Sequence, residues 1–231
     1  MKLPKRYVYL LFTGIGVLML CYFLAEKWIN HKVSEKLTAL NTADQEIVYT
    51  HLSTSLLSRE LVVDNIYFES RDKFKISARQ CQISGISLFD LWLDKDINAS
   101  QVLITSPRII QYVRPSDTIS QPKQKKTLKN AIAIDNIKVT DGKLIRKKMD
   151  SLHTSVVLTM NFETTVTNAL LDSTTISKSI PVTAEDFKLT ISALKTHLNT
   201  FHLLKVNTIA IHPDAVSLNH YEIVPLLSEK E

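Results

Sequence analysis

Leu61-Val-Val-Asp-Asn-Ile-Tyr-Phe68 reads apolar, any, apolar, small polar, any, apolar, any, apolar. The pattern returns as Ile97-Asn-Ala-Ser-Gln-Val-Leu-Ile104, Ile132-Ala-Ile-Asp-Asn-Ile-Lys-Val139 and Leu204-Lys-Val-Asn-Thr-Ile-Ala-Ile211. Its small polar anchors are Asp64, Ser100, Asp135 and Asn207, separated by 36, 35 and 72 residues, the last being twice 36. A fixed spacing of this size marks one supersecondary unit used several times. A repeated β unit acts through a surface or a groove and rarely through one catalytic cluster.

The apolar positions change phase within each copy. They stand at Leu61 and Val63 before the anchor and at Ile66 and Phe68 after it; in the other copies the later pairs are Val102 and Ile104, Ile137 and Val139, and Ile209 and Ile211. The last position before the anchor and the first after it lie three apart. In a regular strand residues three apart face opposite sides. Either the strand changes the face it buries, or a β-bulge absorbs one residue and keeps one face apolar. Short polar side chains bond nearby backbone groups, which favours the bulge. Bulges are therefore expected at Asp64, Ser100, Asp135 and Asn207, and four at one level would curl the sheet into a trough. Ile66, Phe68, Val102, Ile104, Ile137, Val139, Ile209 and Ile211 are the candidate lining of that apolar groove.

Working outward, the segments between the copies also alternate. Phe74, Ile76, Ala78, Cys81 and Ile83 are spaced as a strand, as are Val156, Leu158, Met160 and Phe162, and residues 186–194. Asp141-Gly142 is a hairpin signal and His212-Pro-Asp214 another turn. Residues 87–93 read as a short helix or turn covering a sheet edge. Residues 114–128, with two prolines and three lysines, form a linker. A lysine-rich polar stretch is usually a solvated linker; near a membrane it also suits anionic headgroups. It lacks the interleaved aromatics of a single-strand nucleic-acid site.

The N-terminus has another character. Tyr7 to Ala25 holds no charged residue. As a helix it spans roughly 28 Å, close to the hydrocarbon thickness of a bilayer. No small-x-small cleavage site follows, so an uncleaved signal anchor is expected over residues 1–25. Lys2, Lys5 and Arg6 precede it, which places the N-terminus in the cytoplasm and the rest of the chain outside. Ile29, Val33, Leu37 and Leu40 continue a helical neck over 26–44, and the β-repeat region occupies 45–227 before a polar tail at 228–231.

Composition bounds the class: 231 residues, 45% hydrophobic and 22% charged, enough for a sizeable core. Chemistry is sparse. None of the seven histidines forms a close metal pair with another histidine or a cysteine. No phosphate loop, dinucleotide glycine pattern or nucleophile elbow occurs. Asp64 and Asp135 hold equivalent places, but Ser100 and Asn207 at the other two argue for a structural role. Cys81 is the one cysteine beyond the apolar stretch that contains Cys21, so it has no partner for an internal disulfide and suits packing as a small hydrophobe. The expectation is no catalytic residue, no metal, no cofactor and no nucleic acid.

An N-terminal anchor, a helical neck and strand repeats of this kind resemble the N-terminal region of AsmA-like proteins, in particular the divergent members of Bacteroidetes-type bacteria. The likeness is carried by Leu61–Phe68, Gly85–Phe89, Ile97–Pro107 and Ile132–Leu144. It implies a mainly β protein with a transmembrane helix and a curled, mostly antiparallel β-groove with one or two short helices. It also implies an inner-membrane location with the bulk periplasmic, and a part in lipid transport or outer-membrane homeostasis without catalysis. Members of that family run longer. Ten or so strands stack to roughly 50 Å at most, which makes this a short member, a truncated product or one half of an assembly. The other expectation is a membrane-tethered adaptor that takes a protein partner on the strand edge near Tyr221.

Overall fold

The computed structural model describes residues 5–71, 73–86, 96–114, 130–149, 154–175 and 182–226; in its helix, side chains are described for Val17 and from Met19 onward. Helix α1 (Lys5–Thr38) precedes eleven strands: β1 (Gln45–Val48), β2 (His51–Ser55), β3 (Glu60–Ser70), β4 (Phe74–Ser84), β5 (Ile97–Thr105), β6 (Arg108–Val113), β7 (Ile132–Met149), β8 (Thr154–Leu171), β9 (Asp186–His197), β10 (His202–His212) and β11 (Ala215–Pro225). The chain is mainly β. All the strands belong to one sheet in the order β1-β3-β4-β5-β7-β8-β9-β10-β11. β2 continues the line of β1 beside β3, and β6 continues that of β5 between β4 and β7. Nine strand positions at about 4.8 Å give a width of about 38 Å.

Nine of the eleven pairings are antiparallel; β5 and β6 both run parallel to β7. Two meanders, β1–β6 and β7–β11, are joined by that parallel seam. A parallel pair needs a crossover of a dozen residues or more, which residues 114–131 supply. Within this span the expected linker lies, for all but Arg114, outside the described residues, as does the expected short helix at 87–93.

The parallel seam explains one sequence interval physically. Ile97 pairs with Ile132 and Ile104 with Val139, so the offset in register is the same 35 residues that separate Ser100 from Asp135. The first interval has no such meaning. Leu61 pairs with Ile83 and Ile83 with Val102, because antiparallel β4 lies between.

Bulges do not stand at the four anchors. Asp64 sits in an unbroken ladder, paired with both His51 and Gln80. The break falls on the next residue, Asn65, in the left-handed region at φ +50°. Ser100, Asp135 and Asn207 are each skipped by the ladder, yet register on the two sides agrees. The reason is that the neighbours slip as well. Gly85 (φ +73°) adjoins Ser100, Asn168 (φ +50°) lies across from Asp135, and Ala193 (φ +50°) and His220 (φ +52°) flank Asn207. An extra residue in one strand is a bulge; the same residue added to each neighbour leaves register intact. True register shifts occur where only one strand slips: between Val139 and Gly142, between Arg146 and Lys147, and between Thr159 and Asn161.

The breaks do not share one level either. Asp64 reaches Thr105 through Gln80, five residues along from Ser100. Thr208, next to Asn207, reaches Arg108 through Ser192, Asn161 and Lys143. Only Ser100 and Asp135 are level. Asp141-Gly142 is no hairpin turn; it lies inside β7. Asp141 takes the left-handed conformation (φ +55°) that an Asp-Gly pair tolerates, within a bulge instead of a turn. Pro213 and Asp214 do turn, between His212 and Ala215.

α1 leans on β2: Leu56 N donates to Glu26 Oε1 at 3.2 Å, and the Ser34 and Tyr49 hydroxyls lie 2.6 Å apart. Asn41 closes the neck by accepting from Ile47 N at 2.6 Å. Among the described residues no helix is long and apolar enough to cross a membrane. Most of the expected span, Tyr7 to Gly16, lies where side chains are not described.

Candidate functional site

Residues directly opposite in a ladder share a face of the sheet. One row reads Leu61, Ile83, Val102, Ile137, Val166, Phe187. The next, two residues on, reads Val63, Cys81, Ile104, Val139, Thr164, Leu189, Ile211, Val216. It crosses every position from β3 to β11. Beyond it, Gly142 pairs with Phe162, then come Ile191, Ile209 and Leu218. β8 joins these last two rows by plain alternation, Thr164 to Phe162. β7 needs three residues, Val139 to Gly142, and Asp141 absorbs the difference.

The slips thus keep one face apolar. Ala99 and Val102, three apart in β5, are both buried. All eight candidate groove residues fall on this face. Val102 pairs with Ile137 and Ile104 with Val139; Ile66 pairs with Ala78 and Phe68 with Ile76; Ile209 and Ile211 pair with Ile191 and Leu189. The Phe68 and Phe74 rings pack at 5.5 Å between centroids. The eight-residue pattern missed the contributions of β4, β8, β9 and β11, which alternate on either side of their own three-residue steps, Ala78 to Cys81, Val166 to Ala169, Ile191 to Leu194 and Leu218 to Tyr221. The opposite face is polar: Gln82, Leu103, Lys138, Thr165 and Lys188 form one of its rows.

Burial is uneven across the apolar face. Val102 and Val139 in the middle are buried, while on β11 Val216 is 71% and Tyr221 64% exposed. β11 has no strand on its outer side among the described residues. At the β4–β6–β7 corner a hollow of about 530 Å³ opens, lined by Phe74, Ile109 and Leu144 with Lys73, Gln111 and Tyr112 around them. The sheet is the only one, and α1 the only helix, among the described residues.

The polar groups hold strands together. Asp64 accepts from Gln80 Nε2 at 2.9 Å and faces His51 Nδ1 at 3.4 Å, joining β2, β3 and β4. Asp135 lies three strand positions away and out of level, roughly 20 Å from Asp64, so the two cannot share a proton. Ser106 Oγ donates to Asp141 Oδ2 at 2.8 Å across the parallel seam. Burial alone pushes the Cys81 thiol upward, which disfavours the thiolate a nucleophile requires. No group of three His, Cys, Asp or Glu side chains converges on a metal-sized space among the described residues. What the arrangement offers is apolar contact. No protein-family model matches the chain, and no curated protein matches it.

Proposed function

We propose that this protein is a membrane-anchored, non-catalytic lipid-handling protein whose apolar sheet face takes acyl chains. The observation that carries the reading is the single apolar face whose longest row runs from β3 to β11, Val63 to Val216, with Thr164 its one hydroxyl-bearing position. Acyl chains need a continuous dry surface and no directional contacts. Burying each methylene yields about 0.8 kcal/mol, so even part of one chain suffices for useful affinity. The anchor belongs to the same reading. Tyr7 to Ala25 is free of charge, and Met19, Leu20, Phe23 and Leu24 on α1 are each more than half exposed. Trp28 follows at the level where a membrane interface favours indole. The basic N-terminal tail supports a cytoplasmic-membrane location with the sheet on the periplasmic side, and the resemblance to AsmA-like proteins points the same way.

Cys81, second from the β3 end of the longest apolar row, is a built-in probe. In full-length protein carrying Cys21→Ser, purified in mild detergent, acyl lipids are expected to co-purify and to be identified by mass spectrometry. After delipidation, adding phosphatidylethanolamine should slow maleimide reaction at Cys81 several-fold. Recovery of no acyl chains, together with a Cys81 rate indifferent to lipid, would sink the reading.

The open edge of β11 favours a second reading, an adaptor that adds a partner's strand beside it. Nine of its first nine residues are exposed, and it carries none of the lysines that commonly guard an edge. Photo-crosslinking from Tyr221 in cells distinguishes the two; capture of one discrete partner with no lipid bound favours the adaptor.

A further inference from the structure

We propose that the β2–β3 turn, Leu56-Leu57-Ser58-Arg59, is a membrane-docking foot whose Leu57 inserts into the interfacial layer of the bilayer that holds α1. The proposal rests on the anchor reading of α1. Leu57 is 84% exposed, more than any other large apolar side chain described. Its position relative to the helix gives that exposure a meaning. Glu26 is the first charged residue after the uncharged stretch, so its carboxylate marks the level where α1 leaves the hydrocarbon. The same carboxylate accepts from Leu56 N at 3.2 Å.

The polar layer on each side of a bilayer is roughly 5–8 Å thick. Leu57 follows Leu56 by one Cα step of about 3.8 Å, which is less than the depth of that layer. An apolar side chain presented there gains contact with the acyl boundary that water denies it.

The turn is tied to the sheet. Arg59 Nη2 donates to Gly85 O at 3.1 Å, and Ile86 N donates to Arg59 O at 3.2 Å. Ile86 (3% exposed), Ala99 (5%) and Ala169 (4%) are buried at this end of the apolar face. The foot therefore seats that end on the bilayer, and an acyl chain leaving the membrane meets it first. Leu198 lies at the opposite ends of the strands: nearby Thr196 reaches Gln111 through Leu158 and Arg146.

The test uses the full chain in vesicles of phosphatidylethanolamine and phosphatidylglycerol, one set with chains brominated near the glycerol, read at 57 and 198, and one with chains brominated near the terminal methyl, read at 17. In a Cys21→Ser, Cys81→Ala background, Leu57→Cys, Leu198→Cys and Val17→Cys are each labelled with an environment-sensitive fluorophore. Leu57 is exposed, so its replacement leaves the fold in place, which circular dichroism checks. The label at 57 is expected to shift to the blue and to be quenched several-fold more than the label at 198. Quenching at 17 with equal, weak quenching at 57 and 198 overturns the foot and leaves the anchor standing. Weak quenching at all three overturns both. Quenching at 57 without quenching at 17 overturns the anchor, and with it the foot as an element docked beside α1.

Discussion

Gly85 is the position at which the slipped architecture makes its sharpest demand. Its φ of +73° is disfavoured for any side chain, and a Cβ there would lie 2.2 Å from Ser100 Oγ and 2.6 Å from Ser100 Cβ. Rotating Ser100 moves its oxygen but not its Cβ, so relief to an ordinary contact near 3.4 Å requires β4 and β5 to part by most of an ångström. Alanine in the left-handed region costs about 1–2 kcal/mol. Overpacking against Ser100 adds about 1–3 kcal/mol, so Gly85→Ala should destabilise by about 2–5 kcal/mol. Ser100→Gly removes both offending atoms and leaves the φ cost and a 3.1 Å contact with Ser100 N. On its own it costs about 0.5–1 kcal/mol, as glycine in a strand does. The double variant should therefore recover about 1–3 kcal/mol relative to the sum of the singles. Urea unfolding of the detergent-purified full chain, followed by circular dichroism, measures the cycle. A Gly85→Ala cost that Ser100→Gly leaves unchanged would refute close approach as the reason for glycine here.

Two further perturbations address the seam and the meander edge. Asp141→Ala loses the bond from Ser106 Oγ and places alanine at φ +55°, whereas Asp141→Gly loses only the bond; alanine should be the worse by about 1 kcal/mol, and equal losses would show that the backbone conformation is not what Asp141 supplies. The Glu69 carboxyl is held below its ordinary value of 4.5 first by the Tyr67 hydroxyl, which donates to it, and then by Lys75 at 3.0 Å. A lowered folded pKa means that Glu69 lends its stability in full above the ordinary carboxylate range and loses it as pH falls through the folded value. Glu69→Gln should flatten the acid side of a plot of urea midpoint against pH; an unchanged slope would remove Glu69 from the account.

The β class and the apolar face were legible because alternation is local: each strand states its own inward positions. The eight groove candidates share a face for that reason. Level and partner were not legible. An interval of 36 between Asp64 and Ser100 looks like the interval of 35 between Ser100 and Asp135, yet only the second is a register. What separates them is whether an antiparallel strand intervenes, and residues 74–84 carry no mark of that beyond their own alternation. The bulge at Asp141 was hidden for a related reason. Asp-Gly offers the left-handed conformation equally to a hairpin and to a bulge, and the choice is made by Phe162, whose ring lies over the space that a Cβ at Gly142 would fill. The left-handed residues at Arg59 and Ala193 had no residue-type signal at all, since neither is a usual occupant of that region.

The slips also decide what the protein is able to be. With strict alternation from Val63, Ile66 and Phe68 would turn to the polar face, beside Gln80, Ser77 and Lys75. β3 would then bury one half on each side, and the sheet would need two cores. A slip confined to one strand repairs that strand and dislocates its neighbour; β7 shows this, with a second shift at Arg146–Lys147 undoing the first. A slip shared by β9, β10 and β11 at Ala193, Asn207 and His220 costs no register among them, and it carries the apolar face out to the exposed edge at Tyr221 and Ile223. A line of shared slips thus keeps the apolar side continuous out to the edge strand at no cost in register, which is the property that the proposed acyl-chain surface requires.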